Sequence, residues 1–281
     1  PGAPILRPDN TIEAHHAYVR ASDTTVIRLS YASFSEQGRS AKPPNKANQD
    51  SFVVVEALGG NPDVVLFAVF DGHGGSLVSR TAAQRLLEKV LKRPEWEEAH
   101  AGAAGSYDAD KIQEALRRGF LDMDDDLRGV RRSERLRPHH APYAPAAARS
   151  RAPQLAEVVR GDDHSGSTAV AALITPHHIF VANAGDSRCT LVRGGATVAM
   201  SDDHKPFLEK EQRRIEAAGG TVTMRRVNGD LAVSRALGDF VYKHMRELKA
   251  EEQQVSAEPE IRIEPRTAED QVRRPGDPLS R

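Results

Sequence analysis

The sequence VVLFAVF at residues 64–70 runs directly into DGHGG at residues 71–75. Seven apolar residues without alternation predict a strand that is buried on both faces, and the polar residues stand where that strand ends. Asp71 offers carboxylate oxygens to a hard cation, Gly72 lets its backbone carbonyl approach closely, and His73 can carry a proton near neutral pH. A plain strand-to-helix turn would use the same residue types, so DGHGG alone leaves both interpretations open.

A second predicted strand lies immediately before this one, over residues 51–57 (SFVVVEA), and residues 58–63 have the composition of a hairpin turn. Asp50 precedes the first strand of this hairpin and Asp71 follows the second. Antiparallel pairing places those two strand ends side by side, so both carboxylates can reach one metal site. For Asp50 taken alone, a solvated turn residue is the competing interpretation.

The composition is that of an ordinary globular protein. The 281 residues are 39% hydrophobic and 28% charged, with a net charge of −1, which favours neither nucleic acid nor an anionic membrane as a partner. Cys189 is the only cysteine, so a disulfide framework is excluded and a reducing compartment fits. We therefore expect a monomeric intracellular protein, of the cytoplasm or nucleus, with no membrane or nucleic-acid partner.

The rest of the chain predicts an α+β fold, because runs of strands joined by tight turns are separated by helices. Strands are predicted over 26–31, 169–174, 178–183, 189–192, 197–200 and 260–265, and helices over 76–91, 110–127 and 207–218. LAVSRALGDF, residues 231–240, predicts a short helix followed by a glycine turn. The acidic run 122–126 is interpreted as a solvated helix end, and the Arg-, Pro- and Ala-rich residues from about 128 to 160 as a flexible insertion.

Eight short motifs occur in a fixed order along the chain. They are NQD at 48–50, DGHGG at 71–75, SGSTAV at 165–170, VANAGDSR at 181–188, DDHKP at 202–206, RIEAAGG at 214–220, LAVSRALGDF at 231–240 and AEPEI at 257–261. Taken together, they resemble the metal-dependent protein phosphatases, the type 2C serine/threonine family. The resemblance implies an αββα sandwich of two antiparallel sheets flanked by helices, with phosphorylated proteins as substrates.

The resemblance also implies a metal centre of two Mg²⁺ or Mn²⁺ ions, with a weaker third ion. Asp71 would bridge the two ions, and the Gly72 carbonyl and Asp50 would bind them. Asp163 would serve the third ion, with its neighbour Asp162 as the alternative. In this family a metal-activated water attacks phosphorus directly, and His73 would protonate the leaving oxygen as general acid.

Phosphate binding is where the chain first departs from the family pattern. The family's phosphate-binding arginine falls on Asn45, so Lys46 or Arg39 is the expected substitute, with Lys42 as a further candidate. Arg188 and Arg235 lie inside motifs, and we interpret them as partners in structural ion pairs with an aspartate such as Asp186 or Asp239. Gln49 replaces the family's glutamate and lowers the local negative charge.

The chain departs from the family again after AEPEI. The family's last two metal-binding motifs do not follow, and Asp277, which precedes Pro278, is a poor replacement. We therefore divide the chain into an N-terminal extension (1–24), an incomplete phosphatase-like catalytic domain (25–271) and a divergent tail (272–281).

Three functions follow from these motifs and departures. The leading one is a metal-dependent phosphatase that hydrolyses phosphoserine and phosphothreonine in proteins. The alternative is a catalytically impaired, truncated phosphatase-like protein that binds a phosphoprotein or another partner. A nuclease using Asp50, Asp71 and His73 ranks below both, because the neutral net charge gives little support for a basic groove.

Overall fold

The computed structural model describes residues 13–20, 26–33, 35, 48–101, 106–132, 164–267 and 270–271. The strands are β1 (Glu13–Arg20), β2 (Val26–Ser33), β3 (Ser51–Val55), β4 (Val65–Phe70), β5 (Gly72–His73), β6 (Gly166–Ser167), β7 (Ala169–Ile174), β8 (His178–Ala184), β9 (Thr190–Arg193), β10 (Ala196–Ala199), β11 (Val222–Thr223), β12 (Arg226–Val227), β13 (Leu237–Gly238), β14 (Glu260–Pro265) and β15 (Asp270–Gln271). The helices are α1 (Leu77–Leu91), α2 (Pro94–Ala99), α3 (Ala109–Arg132) and α4 (Glu209–Ala217). Among these helices, none combines the length and the apolar composition that crossing a membrane would require.

Every strand pairing within the described ranges is antiparallel, which confirms the α+β prediction. The main sheet has the order β14-β8-β7-β4-β3, and two three-stranded sheets have the orders β10-β9-β15 and β13-β6-β5. The strands β9 and β10, which the sequence predicted as a continuation of the β7-β8 meander, form a sheet of their own with β15. The small β13-β6-β5 sheet matters most for the candidate site, because its strand β5 starts just beyond Asp71, at the end of β4.

The core lies between one face of the main sheet and the helices α1 and α3. Leu66, Ala68 and Phe70 of β4 are buried in one cluster with Leu86 of α1 and Phe120 of α3. These β4 residues are spaced two apart, as the pleat of a strand requires for side chains that share a face.

The other face of β4 is not uniformly buried. Val65 is fully buried and Phe67 is half-buried against Tyr31, whereas the Val69 side chain is 48% exposed. The expectation of a strand buried on both faces was therefore wrong at its C-terminal end. The apolar run predicted the strand correctly but could not show how far the covering layer extends.

Helix α3 differs from its prediction in length and in the environment of its acidic run. It continues through Arg132, and the remainder of the expected insertion, residues 133–160, lies outside the described residues. Asp124 is buried rather than solvated, and its Oδ1 accepts hydrogen bonds from Lys243 Nζ and the Gly238 backbone N–H, both at 2.8 Å. The neighbouring Asp125 is exposed, so the acidic run faces both the interior and the solvent.

LAVSRALGDF does not form the short helix predicted from the sequence. Arg235 forms a parallel bridge with Ser256, and Leu237 and Gly238 pair with β6. Only after Asp239 does a single 3₁₀ turn, Phe240–Tyr242, form. Pairing with distant strands therefore overrides the local helix propensity of this segment.

The buried pair of Asp124 and Lys243 yields a first prediction. Replacing Asp124 with alanine leaves the Lys243 ammonium buried without its counter-charge, which should lower the free energy of unfolding by roughly 3–5 kcal/mol. Urea unfolding of the full chain measures this change. The matched control Asp125→Ala, on the exposed side of the same helix, should change it by less than about 0.5 kcal/mol. Equal effects of the two substitutions would contradict the assigned ion pair.

Candidate active site

The pairing register of β3 and β4 places two carboxylates together. Ser51 lies opposite Phe70, so Asp50 and Asp71, one residue further along each strand, meet at the same end of the hairpin. Partial desolvation, the Asp71 charge and hydrogen bonding with the Asp71 side chain together raise the pKa of Asp50. Two carboxylates this close repel each other unless a proton or a cation lies between them.

The turn after Asp71 is held in place by backbone contacts that exclude a side chain at Gly72. The Asp71 carbonyl accepts a hydrogen bond from the Thr168 N–H at 3.0 Å, and the Asp71 N–H donates to Thr168 Oγ1 at 3.2 Å. A Cβ on Gly72 would lie 2.3 Å from the Gln49 carbonyl oxygen and 2.8 Å from Ser79 Oγ. Only glycine fits this position, which brings the NQD and DGHGG segments into direct contact.

His73 lies on β5 and contacts an aspartate from a distant part of the chain. Its Nε2 is 2.7 Å from Oδ2 of Asp239, whose side chain is only 4% exposed. Burial lowers the pKa of His73, but the hydrogen bond to Asp239 and the charges of Asp239, Asp71 and Asp186 outweigh that effect and raise it. His73 therefore favours its protonated form more than a free histidine does.

Asp239 was not among the site residues predicted from the sequence, where it was considered only as an ion-pair partner for an arginine. Its approach to His73 depends on Gly166, because a Cβ there would lie 2.1 Å from Asp239 Oδ2. The available signal was a charged residue between Gly238 and Phe240, in a segment that otherwise packs in the interior.

The described residues provide a partial set of oxygen ligands for a divalent ion. Asp50 and Asp71 supply carboxylates and Gly72 supplies a carbonyl, which are the hard oxygen donors that Mg²⁺ and Mn²⁺ prefer. These donors could supply part of the coordination of such ions, with the remaining positions left to water or to other residues. Within the described part of the chain, no group of three or more His, Cys, Asp or Glu side chains is arranged to hold a metal.

The remaining predicted site residues cannot be placed by the structure. Asp163, proposed for a third ion, and Lys46 and Arg39, proposed for phosphate binding, lie outside the described residues. The same holds for Lys42 and Asn45. Their roles therefore stay predictions.

Comparison with known proteins agrees with this fold. The sequence model described as "Protein phosphatase 2C" matches residues 40–272, which is most of the chain. The chain belongs to the protein phosphatase 2C family. The probable protein phosphatase 2C 42 of Oryza sativa subsp. japonica is 36% identical over 274 residues, covering 94% of this chain and 71% of the rice protein.

Other phosphatase 2C relatives match over a smaller share of their own length. Protein phosphatase 1A of Bos taurus is 38% identical over 204 residues, which cover 73% of this chain and 46% of the bovine protein. The chain thus spans less than half of that relative. The crystal structure of serine-threonine phosphatase 2C from Toxoplasma gondii superposes with a TM-score of 0.62 at 18% identity, covering 92% of this chain and 80% of that one, and so supports the fold.

Two arginines inside the phosphatase 2C motifs form ion pairs, as predicted, but with other partners. Arg188 Nε is 2.6 Å from Asp203 Oδ1, and Arg235 Nη2 is 2.8 Å from Glu211 Oε1. The partners expected from the sequence, Asp186 and Asp239, contact Lys205 and His73 instead.

Glu211 on α4 is the centre of a buried cluster that fixes the segment leading to Asp239. Its carboxylate accepts hydrogen bonds from Ser234 Oγ at 2.6 Å and from Arg214 Nη1 at 2.7 Å, in addition to Arg235. Burial alone would raise the pKa of Glu211, but these partners outweigh burial and lower it to about 2. The cluster anchors residues 234–235 four positions before Asp239.

The pKa of Glu211 predicts a specific pH dependence of stability. Its folded pKa of about 2 lies below its ordinary value of 4.5, so the ionised form contributes stability that is complete above about pH 4.5 and is lost as the pH falls toward 2. That contribution amounts to roughly 3 kcal/mol at most. Urea unfolding between pH 6 and pH 2.5 should therefore show a shallower pH dependence for Glu211→Gln than for the wild type.

The control for this measurement is Glu209→Gln, an exposed carboxylate on the same helix. Its pH dependence should match that of the wild type. If Glu211→Gln and Glu209→Gln have the same pH dependence, the buried cluster does not stabilise the fold in the way described.

Proposed function

We propose that the protein of which this chain is a part, or the whole, is a metal-dependent serine/threonine protein phosphatase acting on phosphorylated proteins. The observation that carries the proposal is the convergence of Asp50, Asp71 and His73 at adjacent strand ends, with Asp239 behind the histidine. Family membership supports it, because the relatives that match are named as phosphatases. The binding-only alternative is not favoured by those relatives.

In this proposal Asp50, Asp71 and the Gly72 carbonyl hold the divalent ions, Mg²⁺ or Mn²⁺. When bound, such ions lower the pKa of a water molecule and offset the charge of the phosphoryl group. The pKa of Asp50 is raised by partial desolvation first and by the Asp71 charge second, and a bound cation would offset both effects, which supports the assignment.

In this proposal His73 acts on the leaving group of the reaction. A protonated imidazole beside the metal-binding carboxylates can deliver a proton to the serine or threonine oxygen as its bond to phosphorus breaks. The raised pKa of His73 keeps that proton in place before the reaction.

The proposal also includes three residues that lie outside the described part of the chain. We assign Asp163 to a third, weaker ion and Lys46 and Arg39 to the phosphate group. A monomeric state and a cytoplasmic or nuclear location remain predictions from the sequence.

Hydrolysis of a phosphothreonine peptide by the full chain tests the proposal. With Mn²⁺ the wild-type chain should release inorganic phosphate, and EDTA should abolish the release. Asp71→Asn removes a ligand and should lower kcat/KM by about 100-fold or more. Asp122→Asn, a carboxylate on α3 that pairs with Arg93, should leave it unchanged.

Two outcomes would contradict the proposed phosphatase activity. One is a folded wild-type chain that releases no phosphate with Mn²⁺. The other is turnover that persists in EDTA or is undiminished in Asp71→Asn.

A further inference from the structure

Within the part of the chain that the structure describes, the His73 ring has a side-chain partner at Nε2. Its Nε2 contacts Asp239 Oδ2 at 2.7 Å, while the His73 side chain as a whole remains 31% exposed. Because a carboxylate can only accept a hydrogen bond, this contact keeps one proton on Nε2. The proton that His73 can give away is therefore the one on Nδ1. We propose that Asp239 is the positioning residue for His73 and that it selects Nδ1 as the atom that protonates the leaving oxygen.

The backbone around Asp239 is fixed from both sides. The Gly238 N–H donates to Asp124 Oδ1 at 2.8 Å, and the Asp239 N–H donates to the Ser165 carbonyl at 3.2 Å. Asp239 also has a φ of +50°, a left-handed conformation that a non-glycine residue adopts only where its surroundings hold it there.

His73 and Asp239 are also joined through a shared sheet. His73 pairs with Gly166 on β6, and Gly238, next to Asp239, pairs with Gly166 from the other side. The absence of a Cβ on Gly166 is what lets the carboxylate cross β6 to reach the imidazole. Within the described residues, His73 is the only cationic side chain that pairs with Asp239.

The inference rests on the proposed function and concerns one proton. A water oxygen forms a bond to phosphorus and releases its proton to solvent, while the bond from phosphorus to the ester oxygen breaks and its electron pair stays on that oxygen. The ester oxygen takes the proton from His73 Nδ1 and leaves as a neutral alcohol, and solvent reprotonates the ring. The Asp239 side chain keeps its hydrogen bond to Nε2 throughout and holds the ring in one orientation.

Two substrates whose leaving groups differ in basicity can show whether Asp239 positions His73 or only supports the fold. A threonine alkoxide is strongly basic and needs the proton, whereas p-nitrophenolate leaves without one. With Mn²⁺ and the full chain, Asp239→Asn should lower kcat for a phosphothreonine peptide by about 100-fold or more. Its kcat for p-nitrophenyl phosphate should fall by less than about 10-fold.

Two further variants sharpen this comparison. His73→Gln should show the same selective loss, and the double variant should be no worse than either single one, because the two residues act as a unit. The control Asp122→Asn should retain both activities. Equal losses on the two substrates, or no loss on the peptide, would overturn the inference.

NMR tests the hydrogen bond between His73 and Asp239 directly, without any need for turnover. The ¹H–¹⁵N NMR spectrum of the wild-type chain should contain a His73 Nε2–H signal protected from exchange with water, which Asp239→Asn abolishes and Asp122→Asn retains. A wild-type chain without this signal would overturn the inference. A wild-type chain that hydrolyses neither substrate would overturn the proposed function, whereas turnover with equal losses overturns only the positioning role.

Discussion

The antiparallel pairing of β3 with β4 is the constraint on which the rest of the structure depends. With Ser51 opposite Phe70, the same register buries Leu66, Ala68 and Phe70 against the helices and brings Asp50 beside Asp71. A shift of one residue would turn the buried face of β4 toward solvent and separate the carboxylates. The apolar core therefore fixes the distance between two like charges that would otherwise move apart.

The second constraint is the short β13-β6-β5 sheet, which continues from the end of β4. It is too small to be stable by itself, and buried charged groups hold its surroundings in place: Asp124 with Lys243 on one side, and Glu211 with two arginines on the other. Breaking such a pair is costly because it leaves a buried charge without its partner, which favours one arrangement of the backbone. Here that arrangement is the one in which Asp239 meets His73.

The parts of the site that the sequence predicted are those determined by neighbouring residues. Asp50 and Asp71 flank a single hairpin, so an apolar run, a turn and a second apolar run were enough to place them together. Asp239 lies 166 residues from His73, and no periodicity connects the two. LAVSRALGDF was misassigned as a helix for the same reason, because its conformation depends on pairing with Gly166, Ser167 and Ser256. Asp124 looked like part of a solvated acidic run because its partner, Lys243, is equally remote in sequence.

The central claim is that the strand ends carrying Asp50 and Asp71 form a binding site for a divalent cation. Isothermal titration of Mn²⁺ into the full chain, at a pH where carboxylates are ionised, tests it most directly. We expect saturable binding that Asp71→Asn abolishes or weakens by about 10-fold or more, with Asp122→Asn unchanged. A folded chain that does not bind Mn²⁺, or an Asp71→Asn variant that binds it as the wild type does, would contradict the account.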